Sequence, residues 1–171
     1  MGRVLQTLDR TGHFTQQPGT WVALAAGIAA AGGPRGRHAA ARGVACYFGA
    51  AAGGNLVLKP LVRRPRPPEA RQRGIGPVTT SFPSGHAASD LAFVFGVAQV
   101  MPALFVPLAG ASLTAHWSLV RSRGHYASDV LLGGALGIAV AVAIRKAWPV
   151  ERPDGDYVSA AGGPGGDSDR S

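Results

Sequence analysis

The 171-residue chain is poor in cysteine, in aromatic residues and in acidic residues. Cys46 is the single cysteine, so the chain can form neither a disulfide within itself nor a cysteine metal cluster. Charged residues make up 15%, against roughly 25% in typical soluble domains, which points toward a membrane. The 17 basic residues outnumber the nine acidic ones, and the net charge of +8 favours anionic partners. Aromatic residues, at 7%, are too few for the stacking surfaces of nucleic-acid-binding modules, so lipid headgroups or a phosphorylated substrate fit better than nucleic acid.

Long uncharged stretches alternate with basic or proline-rich segments along the chain. A membrane-spanning helix needs about 20 residues. The uncharged stretches predict five helices: a short one at 21–31, one at 39–58, two antiparallel helices within 84–120, and one at 130–144. Residues 91–120 contain no charged side chain, which would leave a soluble helix pair without a polar face. We therefore predict an all-α, integral membrane helical bundle of about five transmembrane helices, with a soluble, alanine-rich bundle as the alternative.

Two glycine pairs lie within the predicted helices. Gly49-xxx-Gly53 and Gly133-xxx-Gly137 have the spacing that lets helix backbones approach closely in lipid. The alternative is that they only reflect a composition rich in Ala and Gly.

The chain divides into one domain and two polar ends. Residues 1–16 form a polar N-terminal segment without the continuous apolar stretch of a cleaved signal peptide. Residues 17–150 form the membrane-embedded domain. Residues 151–171, rich in Gly, Pro, Asp and Ser, are predicted to be a disordered tail. Within the domain, residues 60–82 contain five Arg and five Pro and form a basic loop.

Lys59 and Arg66 flank a proline-rich turn at the start of this loop. Phosphoryl transfer spreads negative charge over three equatorial oxygens, which fixed cations can stabilise. Arginine offers a planar fork to phosphate and lysine offers a point charge. We assign both residues to a phosphate pocket, and the remaining arginines of the loop to a solvated surface that binds anionic lipid: Arg63, Arg64, Arg71 and Arg73.

A second string, Pro83-Ser84-Gly85-His86, lies where the loop enters an apolar helix. Ser84 is a natural N-cap, and the free N–H groups of a first helical turn bind anions. Gly85 lets an oxyanion approach the backbone closely. The alternative is an ordinary helix start beside a histidine without a role.

A third string places Asp129 four residues after His125, on one face of a helix. A carboxylate that accepts the proton of one imidazole nitrogen leaves the other nitrogen free to attack phosphorus. His125 is then the nucleophile, while His86 acts as the general acid and then the general base. Two helical hairpins separate the three strings, so all three are expected at the same membrane face.

In their order and spacing, the strings resemble the signature of the type 2 phosphatidic acid phosphatase superfamily. That signature is Lys, six residues, Arg-Pro; then Pro-Ser-Gly-His; then Ser-Arg, five residues, His, three residues, Asp. The first two parts are complete here, and the likeness runs from about residue 55 to residue 137.

The resemblance implies an integral, multi-pass protein of a bacterial plasma membrane with a phosphatase site at one membrane face. It also implies hydrolysis of a phosphomonoester or diphosphate of a polyprenyl lipid or glycerolipid through a phosphohistidine. The partner is then a phosphorylated lipid, and no metal or other cofactor is expected. The residues expected to be catalytic are His125, His86 and Asp129, and those expected to bind phosphate are Lys59, Arg66, Ser84, Gly85 and Arg123.

The third part of the signature departs from the family. Ser118 occupies the Ser position, but Leu119 stands where the family has its phosphate-binding Arg. Losing one such donor costs about 3 kcal/mol in the transition state, or roughly a hundredfold in rate. Arg123 lies four residues after Leu119 and, if the helix continues, replaces that Arg on the same face. Two other functions stay open: a phospholipid-binding protein with weakened catalysis, and a vanadate-dependent haloperoxidase.

Two polar residues near the motifs have alternative interpretations. Asp90, four residues after His86, either acts on that histidine or is an interfacial residue near the headgroups. Asn55 either lines the pocket or forms an interhelical hydrogen bond. His116 lacks a spaced partner and is given no role.

Overall fold

A computed structural model describes residues 18–68, 80–121 and 123–150. They form α1 (Pro18–Ala31), α2 (Gly33–Ala52), a π-helical segment (Gly53–Leu58), α3 (Lys59–Val62), α4 (Gly85–Ala98), a 3-10 turn (Pro102–Leu104), α5 (Phe105–Arg121) and α6 (Ala127–Ala147). The described residues contain no strand, so the all-α prediction is confirmed. The predicted N-terminal segment and C-terminal tail lie outside the described residues.

The long helices follow the uncharged stretches, except that α2 begins earlier than predicted. It starts at Gly33, with Pro34 in its first turn, where a missing backbone N–H costs nothing. Arg42, inside α2, is fully buried. Its guanidinium donates to Gln99 Oε1 at 2.8 Å and to the Trp148 carbonyl, and it lies over the Trp148 ring. These partners explain how an arginine is accommodated in a helix that the charge pattern had predicted to start later.

Helix α4 occupies the centre of the bundle and packs against α2, α5 and α6. Its Phe93 and Val97 are fully buried, and the Phe93 ring lies 5.2 Å from that of Trp21 on α1. Small residues allow the close packing. A Cβ built on Gly133 of α6 would lie 2.5 Å from the Ser84 carbonyl oxygen, and one on Gly137 would overlap the Ala88 carbonyl.

The glycine spacing on α6 therefore serves the close approach that was predicted for it. The other pair differs. A Cβ on Gly49 would meet only Val140 and Ile144, and one on Gly53 would meet nothing within 4 Å. For Gly53, composition is the better explanation.

Two described helices are long and apolar enough to cross a membrane: Pro102–Arg121, with 20 residues, and Ala127–Ala147, with 21. Gly19–Ala31 is apolar but shorter. Large apolar side chains point outward, among them Leu56, Val106 and Leu131, each more than 70% exposed. Such a surface suits a membrane environment.

Candidate active site

The first motif follows a π-helical segment. The backbone N–H of Lys59 donates to the Gly54 carbonyl five residues earlier, instead of four as in an α-helix. This wider turn changes the helical register just before Lys59, and both Asn55 and Lys59 line one cavity. Helical structure then continues through Pro60 to Val62, two residues beyond the predicted end of the helix.

That cavity has a volume of about 310 Å³. All three motifs contribute to its wall: Lys59 and Arg66 from the first, Gly85 and His86 from the second, and His125 from the third. The rest of the wall is formed by Tyr47, Phe48, Ala51, Asn55 and Ser89. A larger cavity of about 530 Å³ runs along α1, but no titratable side chain lines it.

His125 is held in one tautomer within this cavity. Its Nδ1 lies 2.9 Å from the Ser81 carbonyl oxygen, and its Nε2 lies 3.2 Å from an Arg66 nitrogen. Because an arginine only donates, Nε2 is the acceptor and Nδ1 carries the proton. Burial, and after it the positive charge of Arg66, lowers the pKa of His125 to about 4. At neutral pH the imidazole is therefore uncharged, with the lone pair of Nε2 directed at the cation.

Asp129 lies differently from its prediction. Its Oδ2 is 3.8 Å from His125 Nδ1, beyond hydrogen-bonding distance, because the Ser81 carbonyl already accepts the imidazole proton. Asp129 instead accepts the backbone N–H of Tyr126 at 3.0 Å and an Arg64 N–H at 2.8 Å. Since it is fully buried, it acts on His125 through its charge and through the loop it fixes.

Arg64 is the residue that sequence reasoning missed. It donates to Asp129 and to Ser128 Oγ, each at 2.8 Å, and its guanidinium lies 4.1 Å from the centre of the Tyr126 ring. Its carbonyl accepts the Ser81 backbone N–H at 2.8 Å, next to the group that holds His125. Arg64 therefore joins the first motif to the third. Nothing in the sequence distinguishes it from Arg63, so no local signal could have identified it.

The second motif starts α4 as predicted. Ser84 is the N-cap, and its Oγ accepts the Ala87 N–H at 3.4 Å. The Ser84 N–H donates to the Asp129 carbonyl at 3.0 Å, and its side chain is fully buried and does not line the cavity. Gly85 does line it. A Cβ there would lie 3.7 Å from Lys59 Nζ, so the lysine ammonium is adjacent to the helix N-terminus.

Lys59 and Arg66 bring two positive charges into the half-buried cavity. Burial lowers the pKa of Lys59, and the charge of Arg66 lowers it further. Burial also lowers the pKa of Arg66, while the charge of Asp129 opposes that shift. Each cation makes the other less favourable, and a dianionic phosphoryl group would relieve both.

Arg123 is not brought to the cavity, so it cannot stand in for the missing arginine in this structure. Helix α5 ends at Arg121, and Arg123 is exposed with φ of 54° in the left-handed region. The N–H groups of Arg123 and Gly124 donate to the Val120 and Leu119 carbonyls and close the helix end. The face shared by Leu119 therefore stops before Arg123, which is the reason that the spacing argument was wrong.

An all-helical bundle that gathers a lysine, an arginine and two histidines around one cavity belongs, by fold and site, to the class of histidine-based phosphate-handling proteins. The PAP2 superfamily model matches residues 40–153, and the chain belongs to this superfamily, which confirms the family resemblance. The chain is 37% identical over 127 residues to a decaprenylphosphoryl-5-phosphoribose phosphatase of Mycolicibacterium smegmatis (strain ATCC 700084 / mc(2)155). The matched segment covers 71% of this chain and 66% of that relative, slightly less than two thirds of its length. No solved structure gave a significant match.

Proposed function

We propose that this protein is a membrane lipid phosphatase that hydrolyses a phosphomonoester or diphosphate through a phosphohistidine intermediate. The observation that carries the proposal is the environment of His125. Its Nδ1 proton is held by a backbone carbonyl, and its Nε2 lone pair faces Arg66 in a cavity lined by a second histidine. A neutral, oriented imidazole beside an arginine is suited to attack a phosphoryl group.

In the first step, His125 Nε2 forms a bond to phosphorus while the bond from phosphorus to the leaving oxygen breaks. His86 protonates that oxygen. Lys59 and Arg66 stabilise the charge on the equatorial oxygens, together with the backbone N–H groups at Gly85. The buried Ser84 caps the helix that presents these N–H groups.

In the second step, a water oxygen attacks phosphorus and His86 takes its proton. The P–N bond breaks, its electron pair returns to Nε2 of His125, and inorganic phosphate leaves. The negative charge of Asp129, fixed by Arg64, stabilises His125 whenever phosphorylation leaves the imidazole ring positively charged.

The five long helices are proposed to cross the membrane, with the cavity at one membrane face. Beyond the two long apolar helices, support comes from the outward-facing apolar side chains of the π-helical segment, α5 and α6. Tyr47 and Phe48 give the cavity an apolar wall beside its cations, and Phe48 is 55% exposed. A lipid phosphate presents the same two features, a charged group joined to an apolar chain.

The substrate class is proposed to be a polyprenyl phosphate derivative, with glycerolipid phosphates as the other candidates. The name of the Mycolicibacterium smegmatis relative makes decaprenylphosphoryl-5-phosphoribose the first substrate to assay. The test is phosphate release by the full chain in detergent from a panel of lipid phosphates, comparing the parent with His125→Ala. We expect release by the parent alone, and ³²P-labelled substrate should leave acid-labile label on the parent. Equal release by both proteins would refute the proposal.

Leu119 supports a second candidate, a phospholipid-binding protein with weakened catalysis. Leu119 is buried and Arg123 lies away from the cavity, so one phosphate donor expected for the family is absent here. Binding of vesicles containing phosphatidic acid, without phosphate release from any lipid in the panel, would favour this candidate. A vanadate-dependent peroxidase assay tests the haloperoxidase alternative.

A further inference from the structure

Asp90 and His116 form a buried ionisable pair inside the bundle, outside the cavity wall. Asp90 on α4 is fully buried, His116 on α5 is 4% exposed, and Asp90 Oδ2 lies 3.4 Å from His116 Nε2. The buried Trp21 side chain of α1 also interacts with this carboxyl group. Asp90 is therefore not an interfacial residue, and His116 has a partner 26 positions away in the chain.

Stability is a poor explanation for this pair. A buried ion pair often contributes no more than well-packed apolar residues of the same volume, because both groups must be removed from water. Inside a membrane bundle the cost is larger, and ionisable residues there generally serve a function.

The residue next to this pair is His86. Asp90 follows it by one turn of α4, and the two interact electrostatically. The groups that face His86 across the cavity are Lys59, Arg66 and His125, and two of them are cations. These cations favour a neutral imidazole at His86, whereas a general acid must carry a proton.

Only one carboxylate among the described residues is placed to offset those cations at His86. Asp129, the other described carboxylate, is bound by Arg64 on the far side of His125. Asp90 lies one helical turn behind His86, and charges at that spacing interact strongly when water is excluded.

We propose that Asp90 is a positioning residue of the reaction, whose negative charge keeps His86 protonated until it donates to the leaving oxygen. Neutral His116 holds the carboxylate by directing its Nε2–H at Oδ2, which compensates burial without cancelling the charge. This inference rests on the proposed function for its chemical role, but the coupling of Asp90 to His86 can be measured without activity.

The experiment is a ¹³C-histidine NMR titration of the full chain in detergent micelles, with His86 assigned through His86→Gln. Asp90→Asn keeps the shape and removes the charge, so the His86 titration midpoint should fall by about one pH unit or more. Ser112→Ala is the matched control, since Ser112 is equally buried one turn before His116 and carries no charge. It should leave the midpoint unchanged.

The pH dependence of kcat/KM supplies the second readout. Loss of the Asp90 charge should move the alkaline limb to lower pH by the same amount, about a tenfold loss of rate per unit above that limb. An unchanged His86 midpoint in folded Asp90→Asn would overturn the inference. If Asp90→Asn does not fold, His116→Leu is titrated instead: it removes the donor, so Asp90 should take up a proton and the His86 midpoint should again fall. No fall there would overturn the inference equally. A parent that releases no phosphate would refute the proposed function, while the titration still decides whether Asp90 acts on His86.

Discussion

The His125 imidazole should stay neutral far below the pH at which an ordinary histidine protonates. Its pKa is lowered from 6.5 to about 4, first by burial and then by Arg66, and His125 is 5% exposed. A shift of this size corresponds to about 3 kcal/mol against protonation in the folded chain. At pH 5.5 about 3% of His125 would be protonated, against about 90% of an unperturbed histidine.

The sign of the effect follows from linkage. Protonation is harder in the folded chain than in the unfolded chain, so the unfolded chain binds the proton first as the pH falls. His125 therefore stabilises the fold above pH 6.5, and this contribution is lost as the pH falls from 6.5 toward about 4.

The assay is the ¹³C-histidine titration of the full chain in detergent, with His125 assigned through His125→Gln. We expect a midpoint near 4 for the parent. Arg66→Gln should raise it only part of the way, because burial is the larger cause. A parent midpoint near 6.5 would refute the argument that His125 is buried and faces a cation. A midpoint that returns fully to 6.5 in Arg66→Gln would refute the order of the two causes.

Three further predictions concern the contacts around the site. Arg64→Ala leaves a buried carboxylate short of a charge-assisted hydrogen bond worth about 1.5–3 kcal/mol, so kcat should fall roughly 10- to 100-fold. Arg63→Ala removes the same charge from the same loop and should keep the parent kcat; equal losses would show that only loop charge matters. Gly137→Ala should lower stability by about 1–3 kcal/mol, because a Cβ there overlaps a backbone carbonyl of α4. Melting curves in detergent should show no such loss for Gly53→Ala, whose Cβ meets nothing within 4 Å, and equal curves would contradict the packing. Ser84→Ala should lower stability by about 1 kcal/mol through loss of the helix N-cap, and an unchanged melting temperature would argue against that cap.

Local pattern predicted the helices and the helix ends well. Uncharged stretches located the five long helices because apolar side chains must be removed from water wherever they occur. Ser84 was recognised as an N-cap because capping depends on the residue type and on the next turn of the chain. The start of α2 was missed because the partners of Arg42, Gln99 and Trp148, lie on other helices.

The candidate site could be predicted only as a set of residue types. The motifs named a lysine, an arginine and two histidines, and the topology of the helices placed them at one face. The prediction that Asp129 orients His125 assumed that spacing along one helix decides the contact. In the structure, the Ser81 carbonyl occupies the imidazole proton first.

The sequence by itself determined the all-α class, the superfamily and the order of the phosphate-handling motifs, because these depend on residue type and on spacing within one or two helical turns. Only the tertiary structure decided which partners those residues have. His125 is held by a carbonyl 44 positions away, and Asp129 by an arginine 65 positions away. The pairing of Asp90 with His116 likewise arises from the packing of α4 against α5. Hydrogen bonds and ion pairs act over a few ångströms, and only the folded chain brings such distant residues within that range.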